Sequence, residues 1–168
     1  MSQDRARAAV SGKAAAGTAL FFALAPGVVA GLVPWLLTGW ESEPFPLALR
    51  IAGGVLVAAG LPFLVHAFAR FVTEGRGTPA PVAPTEALVV GGVYRWVRNP
   101  MYLAVGAVIA GQALLLGRWI LAVWLAAFAV AVVAFVRLYE EPTLRSRHGA
   151  AYDEYRRSVP GWWPRRPG

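Results

Sequence analysis

Apolar residues dominate this chain in four long stretches, and the charged residues fall almost entirely between them. Ala14 to Leu37 is a run of 24 residues without Asp, Glu, Lys, Arg or His. Ile51 to Ala69 contains only His66 from that group, and Tyr102 to Leu116 and Trp119 to Val136 contain none. About 20 apolar residues in a helix suffice to cross a hydrocarbon core of roughly 30 Å, so each stretch predicts a membrane-spanning helix. With helix ends included, the spans are expected at about residues 14–37, 47–72, 100–116 and 119–139. The third is short for a perpendicular crossing at about 1.5 Å per residue, and it pairs with the fourth as a hairpin. Gly117 and Arg118 form the expected link of that hairpin.

The first stretch invites comparison with a secretion signal. Its length exceeds the roughly 7 to 15 residues of a signal's apolar core, and three further spans come after it, so it reads as a retained helix. The predicted class is therefore an all-α polytopic membrane protein of about four transmembrane helices with a C-terminal interfacial helical segment. One domain is expected over residues 1–168.

Composition agrees with this class. The chain is 57% hydrophobic, above the roughly 45 to 50% of soluble domains. It has no cysteine, which excludes disulfides, thiolate nucleophiles and cysteine metal sites. The net charge of +7 sits beside apolar segments rather than along a soluble face, which favours anionic lipid headgroups over nucleic acid as neighbours. Three Lys or Arg precede the first span, four lie from Arg70 to Arg98, and seven occur from Arg137 onward. Such residues are retained in the cytoplasm, so both termini and the loop from Thr73 to Asn99 are expected inside, and the loop holding Glu41 and Glu43 outside. The cytoplasmic membrane of a prokaryote is the expected location.

The inner loop carries Gly75, Gly77, Pro79, Pro81 and Pro84 in its first half, and aromatic and aliphatic residues from Leu88 to Trp96 in its second. Its first half reads as disorder or a functional lid. The second half is expected to pack at the membrane interface.

Three constellations could carry chemistry. In the first, Asn99 precedes Pro100, a pairing that favours an extended residue capping a helix that begins with proline. The start of that helix, with Arg98 beside it, is a natural seat for a carboxylate or phosphate. A capped interfacial helix with a snorkelling arginine accounts for the same residues. The second is Glu140-Glu141-Pro142 at the end of the fourth span, where unpaired carboxylates are costly. Arg137, Glu141 and Arg145 are spaced to pair along one α-helical face. Glu140 projects roughly 100° away from that face, free to meet an ammonium or sulfonium cation. In the third, Tyr152 and Tyr155 share a face three residues apart, suited either to packing of an amphipathic helix or to stacking on a base. The nearby Trp162-Trp163 pair suits an interfacial anchor. His66 within the second span reads as a helix-packing residue. Neither it nor His148 has a partner at metal-ligand spacing, so no metal site is expected.

As an ordered set, these pieces resemble the integral membrane methyltransferases that include isoprenylcysteine carboxyl methyltransferases and phospholipid N-methyltransferases. The matching residues are Gly92 and Tyr94, then Arg98-Asn99-Pro100-Met101-Tyr102, Glu140-Glu141, Gly149-x-x-Tyr152-x-x-Tyr155, and Val159-Pro160. Asn99 stands where the family more often has histidine, and His148 where an aromatic often precedes the glycine. The resemblance implies a cofactor-binding part over about residues 75–164 that holds S-adenosylmethionine beside the bilayer and methylates a lipid or other lipophilic acceptor. By the same implication, Arg98 with Asn99 and Pro100 takes the cofactor's carboxylate end, Glu140 or Glu141 its amino or ribose groups, and Tyr94, Tyr102, Tyr152 or Tyr155 shapes the adenosine site. Arg98, Glu140 and Glu141 are the candidate catalytic residues. Membrane sterol or enone reductases, which use NADPH, share a related Arg-(His/Asn)-Pro-x-Tyr element, and a non-enzymatic membrane scaffold is the remaining class. No soluble-type dinucleotide fingerprint is present.

Overall fold

A computed structural model of the protein describes residues 24–75 and 88–165. Among these, all regular structure is helical. Helix α1 covers Leu24–Thr38 and includes a π-helical turn at Val28–Leu32. Helix α2 covers Leu47–Gly75, a 3₁₀ turn covers Gly92–Arg95, and α3 covers Pro100–Leu116. Helix α4 runs over Trp119–His148 with a π turn at Val136–Glu140, and α5 covers Ala150–Ser158. Two helical segments are long and apolar enough to cross a membrane, Leu47–Arg70 and Trp119–His148; α1 and α3 are apolar and shorter. Residues 14–23 of the expected first span, the basic residues before it, and the Gly77 to Pro84 part of the inner loop lie outside the described residues.

Helices α2 and α3 pack antiparallel through small residues. A Cβ on Gly53 would lie 2.5 Å from the carbonyl oxygen of Gly111, and one on Gly111 would lie 2.8 Å from that of Gly53. The two backbones touch at this crossing. Close approach through small residues is the usual way apolar helices associate where lipid removes the hydrophobic drive between them. Buried Gly53, Gly60 and Ala67 recur at sevens along α2, which keeps one face against α3. Leu64, Ala104, Val105 and Ile109 form the adjoining core.

Helix α1 is held differently. Pro34 has no N–H, and the N–H of Val33 bonds Val28 O across the π turn. The carbonyls of Val29 and Ala30 are thereby left without their usual donors. Trp124 Nε1 donates to Val29 O at 2.9 Å and Gln112 Nε2 to Ala30 O at 2.7 Å. In an apolar surrounding, unmet carbonyls of this kind cost several kcal/mol by order of magnitude, so these two side chains of α3 and α4 fasten α1 to the bundle.

The chain ends of the helices sort into two groups. Gly117 caps α3 in the left-handed conformation (φ 68°), as the expected hairpin link requires, and Arg118 pairs with Glu43 at 3.3 Å. Glu41 and Glu43 therefore sit at the end of the bundle opposite Arg98 and Glu140. Two expectations are corrected. Helix α2 continues through Gly75, past the expected loop start at Thr73. His66 is exposed on the flank of α2 rather than packed between helices.

Candidate functional site

The site is built where the start of α3, the last turns of α4, α5 and the segment after α5 meet. Pro100 opens α3 at its first turn, where a missing N–H costs nothing. Leu103 N–H makes the first bond back, to Asn99 O at 3.3 Å, so the amides of Met101 and Tyr102 precede the helical ladder. Asn99 departs from its expected role. Its backbone is neither helical nor extended (φ −116°, ψ 52°), and its side chain caps nothing. Instead, Nδ2 donates to Gly161 O at 3.1 Å, because the Val159–Gly161 segment runs directly beside it.

Arg98 is the hub of that contact. Its backbone N–H donates to Pro160 O (2.9 Å), Nε to Val159 O (3.0 Å), and Nη1 to both Glu141 Oε1 (2.7 Å) and the Tyr152 hydroxyl (3.1 Å). The side chains of Arg98 and Glu141 are 13% and 17% exposed, so this is a largely desolvated, charge-assisted pair and not a surface one. Three of the five guanidinium N–H donors are thus committed, and those of Nη2 remain.

The paired acids take separate partners. Glu141 Oε2 also faces Arg156 Nη2 at 3.6 Å, placing the carboxylate between two arginines. Glu140 Oε2 accepts from the Tyr102 hydroxyl at 3.0 Å. No ion pair among the described residues includes Glu140. The expected Arg137–Glu141–Arg145 ladder is not formed. The π turn between Arg137 and Glu141 removes their α-helical spacing, Glu141 is drawn to Arg98, and Arg145 pairs with Asp153 at 3.1 Å.

Tyr152 and Tyr155 do share a face, and both hydroxyls are used. Tyr155 donates to Tyr94 O at 2.7 Å, while Tyr94 donates to Ala67 O at 3.4 Å. Burial pushes the phenols of Tyr94, Tyr155 and Tyr152 up from their ordinary value, helped by Tyr155 at Tyr94 and by Glu141 at Tyr152. Arg98 pulls the other way at Tyr155 and Tyr152 without reversing the shift. All three stay neutral at working pH, Tyr94 and Tyr155 as donors and Tyr152 as the acceptor from Arg98. The charged stretch from Arg137 to Ser158 is not one helix, since Gly149 (φ 52°) breaks it and turns α5 back toward Tyr94.

Of the expected residues, Arg98, Glu141 and Tyr152 meet directly, Tyr102 meets Glu140, and Tyr94 meets Tyr155. Glu74, whose carboxylate accepts from Gly91 N–H, was not expected, and neither were the carbonyls of Val159 and Gly161. Backbone acceptors leave no mark in a side-chain pattern. Among the described residues no group of three or more His, Asp or Glu gathers to hold a metal.

A sequence model of the phospholipid methyltransferase family matches residues 49–151, well over half of the chain. The chain belongs to the phospholipid methyltransferase family. It is accordingly a membrane methyltransferase. No curated protein and no solved structure matches it. The family match ends one residue before Tyr152, yet Tyr152, Val159 and Gly161 supply three of the contacts that hold Arg98 and Asn99. The segment beyond the matched region is thus part of the frame around Arg98 and Asn99 in the candidate site.

Proposed function

We propose that the protein transfers a methyl group from S-adenosylmethionine to a lipid or other lipophilic acceptor presented from the bilayer. The observation that carries this reading is the division of the two acids: Glu141 is bound to Arg98 at 2.7 Å, while Glu140, next to it, meets a neutral tyrosine hydroxyl at 3.0 Å. A carboxylate so placed still lacks a cation, and the cofactor carries both an ammonium and a sulfonium. The Nη2 donors of Arg98 and the free amides at the start of α3 suit its carboxylate. Neutral Tyr94, Tyr102, Tyr152 and Tyr155 suit hydroxyls and a purine ring. These residues therefore fit the group, and the cofactor-binding part corresponds to about residues 75–164.

When bound, the cofactor supplies an electrophilic methyl group; the chain's own residues bind, orient and exclude water. Methyl transfer needs in-line placement and little covalent help, so positioning supplies most of the acceleration. A carboxylate acceptor would need no base. An amine or thiol would need a proton removed, for which Glu140, the acid not paired with an arginine, is the candidate helper.

In the bilayer, α1 and α3 accompany the two long helices, which makes four spans, and α5 with Trp163, 83% exposed, lies at the interface. The excess of Lys and Arg at the Arg98 end supports an orientation with that end and both termini in the cytoplasm, at the inner face of a prokaryotic membrane. Lipid extract incubated with isotope-labelled methyl donor tests the reading. Labelled lipid is expected with the wild type and lost with Arg98→Ala. S-adenosylhomocysteine, and not NADPH, is expected to raise the Tm. Stabilisation by NADPH alone would refute the assignment.

A further inference from the structure

Glu74 and Arg70 lie near the end of α2, outside the motifs that carry the family resemblance. Glu74 Oε2 accepts from the N–H of Gly91, seventeen residues later, at 2.9 Å, and Oε1 accepts from Arg70 Nη1 at 3.1 Å. The carboxylate comes so near that a Cβ on Gly91 would overlap both of its oxygens. Arg70 lies over the next residue, with its Nε 3.0 Å from where a Cβ on Gly92 would sit.

Gly91 O in turn accepts the N–H of Tyr94 at 3.0 Å and so opens the 3₁₀ turn Gly92–Arg95. That turn carries Tyr94 and leads three residues on to Arg98. It is gripped from two sides: by α2 through Glu74 and the Tyr94 hydroxyl on Ala67 O, and by α5 through the Tyr155 hydroxyl on Tyr94 O. An exposed i,i+4 pair such as Arg70–Glu74 adds little by itself. The bond to a distant backbone amide is different, because an ionised acceptor strengthens it and it ties the entry to the 3₁₀ turn to the last turn of α2.

We propose that Glu74 is a positioning residue of the methyltransferase site. By holding the Gly91 amide against α2 it sets the Gly92–Arg95 turn, and through it Tyr94 and Arg98, in the arrangement that receives the methyl donor. This rests on the S-adenosylmethionine-dependent reading of the site proposed above. The geometry explains why glycine is needed at position 91 and why an acid sits in the last turn of a helix that is apolar over most of its length.

The test uses the full chain purified in detergent, with S-adenosylhomocysteine titration and methyl-donor kinetics. Glu74→Ala is expected to raise the Kd and the KM for the donor by about tenfold while kcat stays within about twofold, as expected for lost preorganisation of binding. Glu74→Gln keeps an oxygen for the Gly91 amide and is expected to restore most of the affinity. Gly91→Ala displaces the carboxylate from the other side and is expected to reproduce the KM effect, which covers the case in which Glu74→Ala folds poorly. Wild-type binding together with an unaffected Glu74→Ala or Gly91→Ala, or failure of Glu74→Gln to rescue, overturns the positioning role alone. A wild type that binds no S-adenosylhomocysteine overturns the site reading, and this proposal with it.

Discussion

Two junctions in this protein share one backbone irregularity and use it for different ends. At Val28–Leu32 and again at Val136–Glu140 a π turn ends two residues before a proline, Pro34 in the first case and Pro142 in the second. In both, the N–H just after the turn reaches back to its first carbonyl: Val33 to Val28 and Glu141 to Val136. Proline removes the next donor and crowds the carbonyl a turn earlier, so a wider turn relieves it. At the first junction the released carbonyls lie against neighbouring helices and are taken by Trp124 and Gln112. At the second, the corresponding residues Arg137 and Leu138 are exposed rather than packed against a neighbouring helix. There the change of winding redirects the two acids at its end, aiming Glu140 at Tyr102 and Glu141 at Arg98. The same turn thus serves as an anchor in apolar surroundings and as a way of orienting charge at the polar boundary.

The largest expected effect is at the second junction. Glu141→Ala leaves Arg98 and Arg156 without their shared acid and is expected to destabilise by about 2–4 kcal/mol, read as a lowered denaturation midpoint in micelles. Next comes the first junction, where Gln112→Leu or Trp124→Phe leaves a carbonyl unmet and is expected to cost about 1–3 kcal/mol. S-adenosylhomocysteine affinity should not change in either variant, because both lie away from Arg98. Adding Pro34→Ala returns a donor to α1, so a double-mutant cycle should show the cost of Gln112→Leu shrinking by about 1 kcal/mol. Full additivity would mean that Pro34 is not what frees the carbonyl that Gln112 meets. Pro142→Ala is expected to move stability by about 1 kcal/mol or less, yet to weaken S-adenosylhomocysteine by at least about fivefold as α-helical winding returns. Unchanged affinity would leave the second π turn without a role in the site. Tyr155→Phe is expected to cost about 0.5–1.5 kcal/mol, from loss of the bond to Tyr94 O.

Legibility in the sequence differed between the same regions. The apolar stretches announced the helices because a hydrocarbon environment leaves little choice of residue, and Gly117-Arg118 announced the hairpin link. The ordered set from Gly92 to Val159 announced the family. The pairing of the acids was not legible: an α-helical count put Glu141 with Arg137 and Arg145, and a π turn, set by Pro142 and by the pull of Arg98, altered the count. Asn99 looked like a cap because residue type and the proline after it favour one. A competing acceptor, Gly161 O, came from more than sixty residues away and left no trace near Asn99. The fastening of α1 was hidden for a similar reason, since Gln112 and Trp124 read as ordinary residues of apolar helices until the proline opposite them is considered.

In the proposed division of labour, Glu140 supplies negative charge to a bound methyl donor while Glu141 holds Arg98. Titration of S-adenosylhomocysteine into purified wild type and Glu140→Gln, by calorimetry in the same detergent, separates the two roles. Glutamine retains an oxygen for the Tyr102 hydroxyl and removes the charge, with an amide NH₂ in place of the second oxygen. The variant is expected to keep the ligand-free Tm of the wild type and to lose affinity by at least about tenfold. Equal affinity in the two proteins would show that the charge of Glu140 is not used in binding the donor.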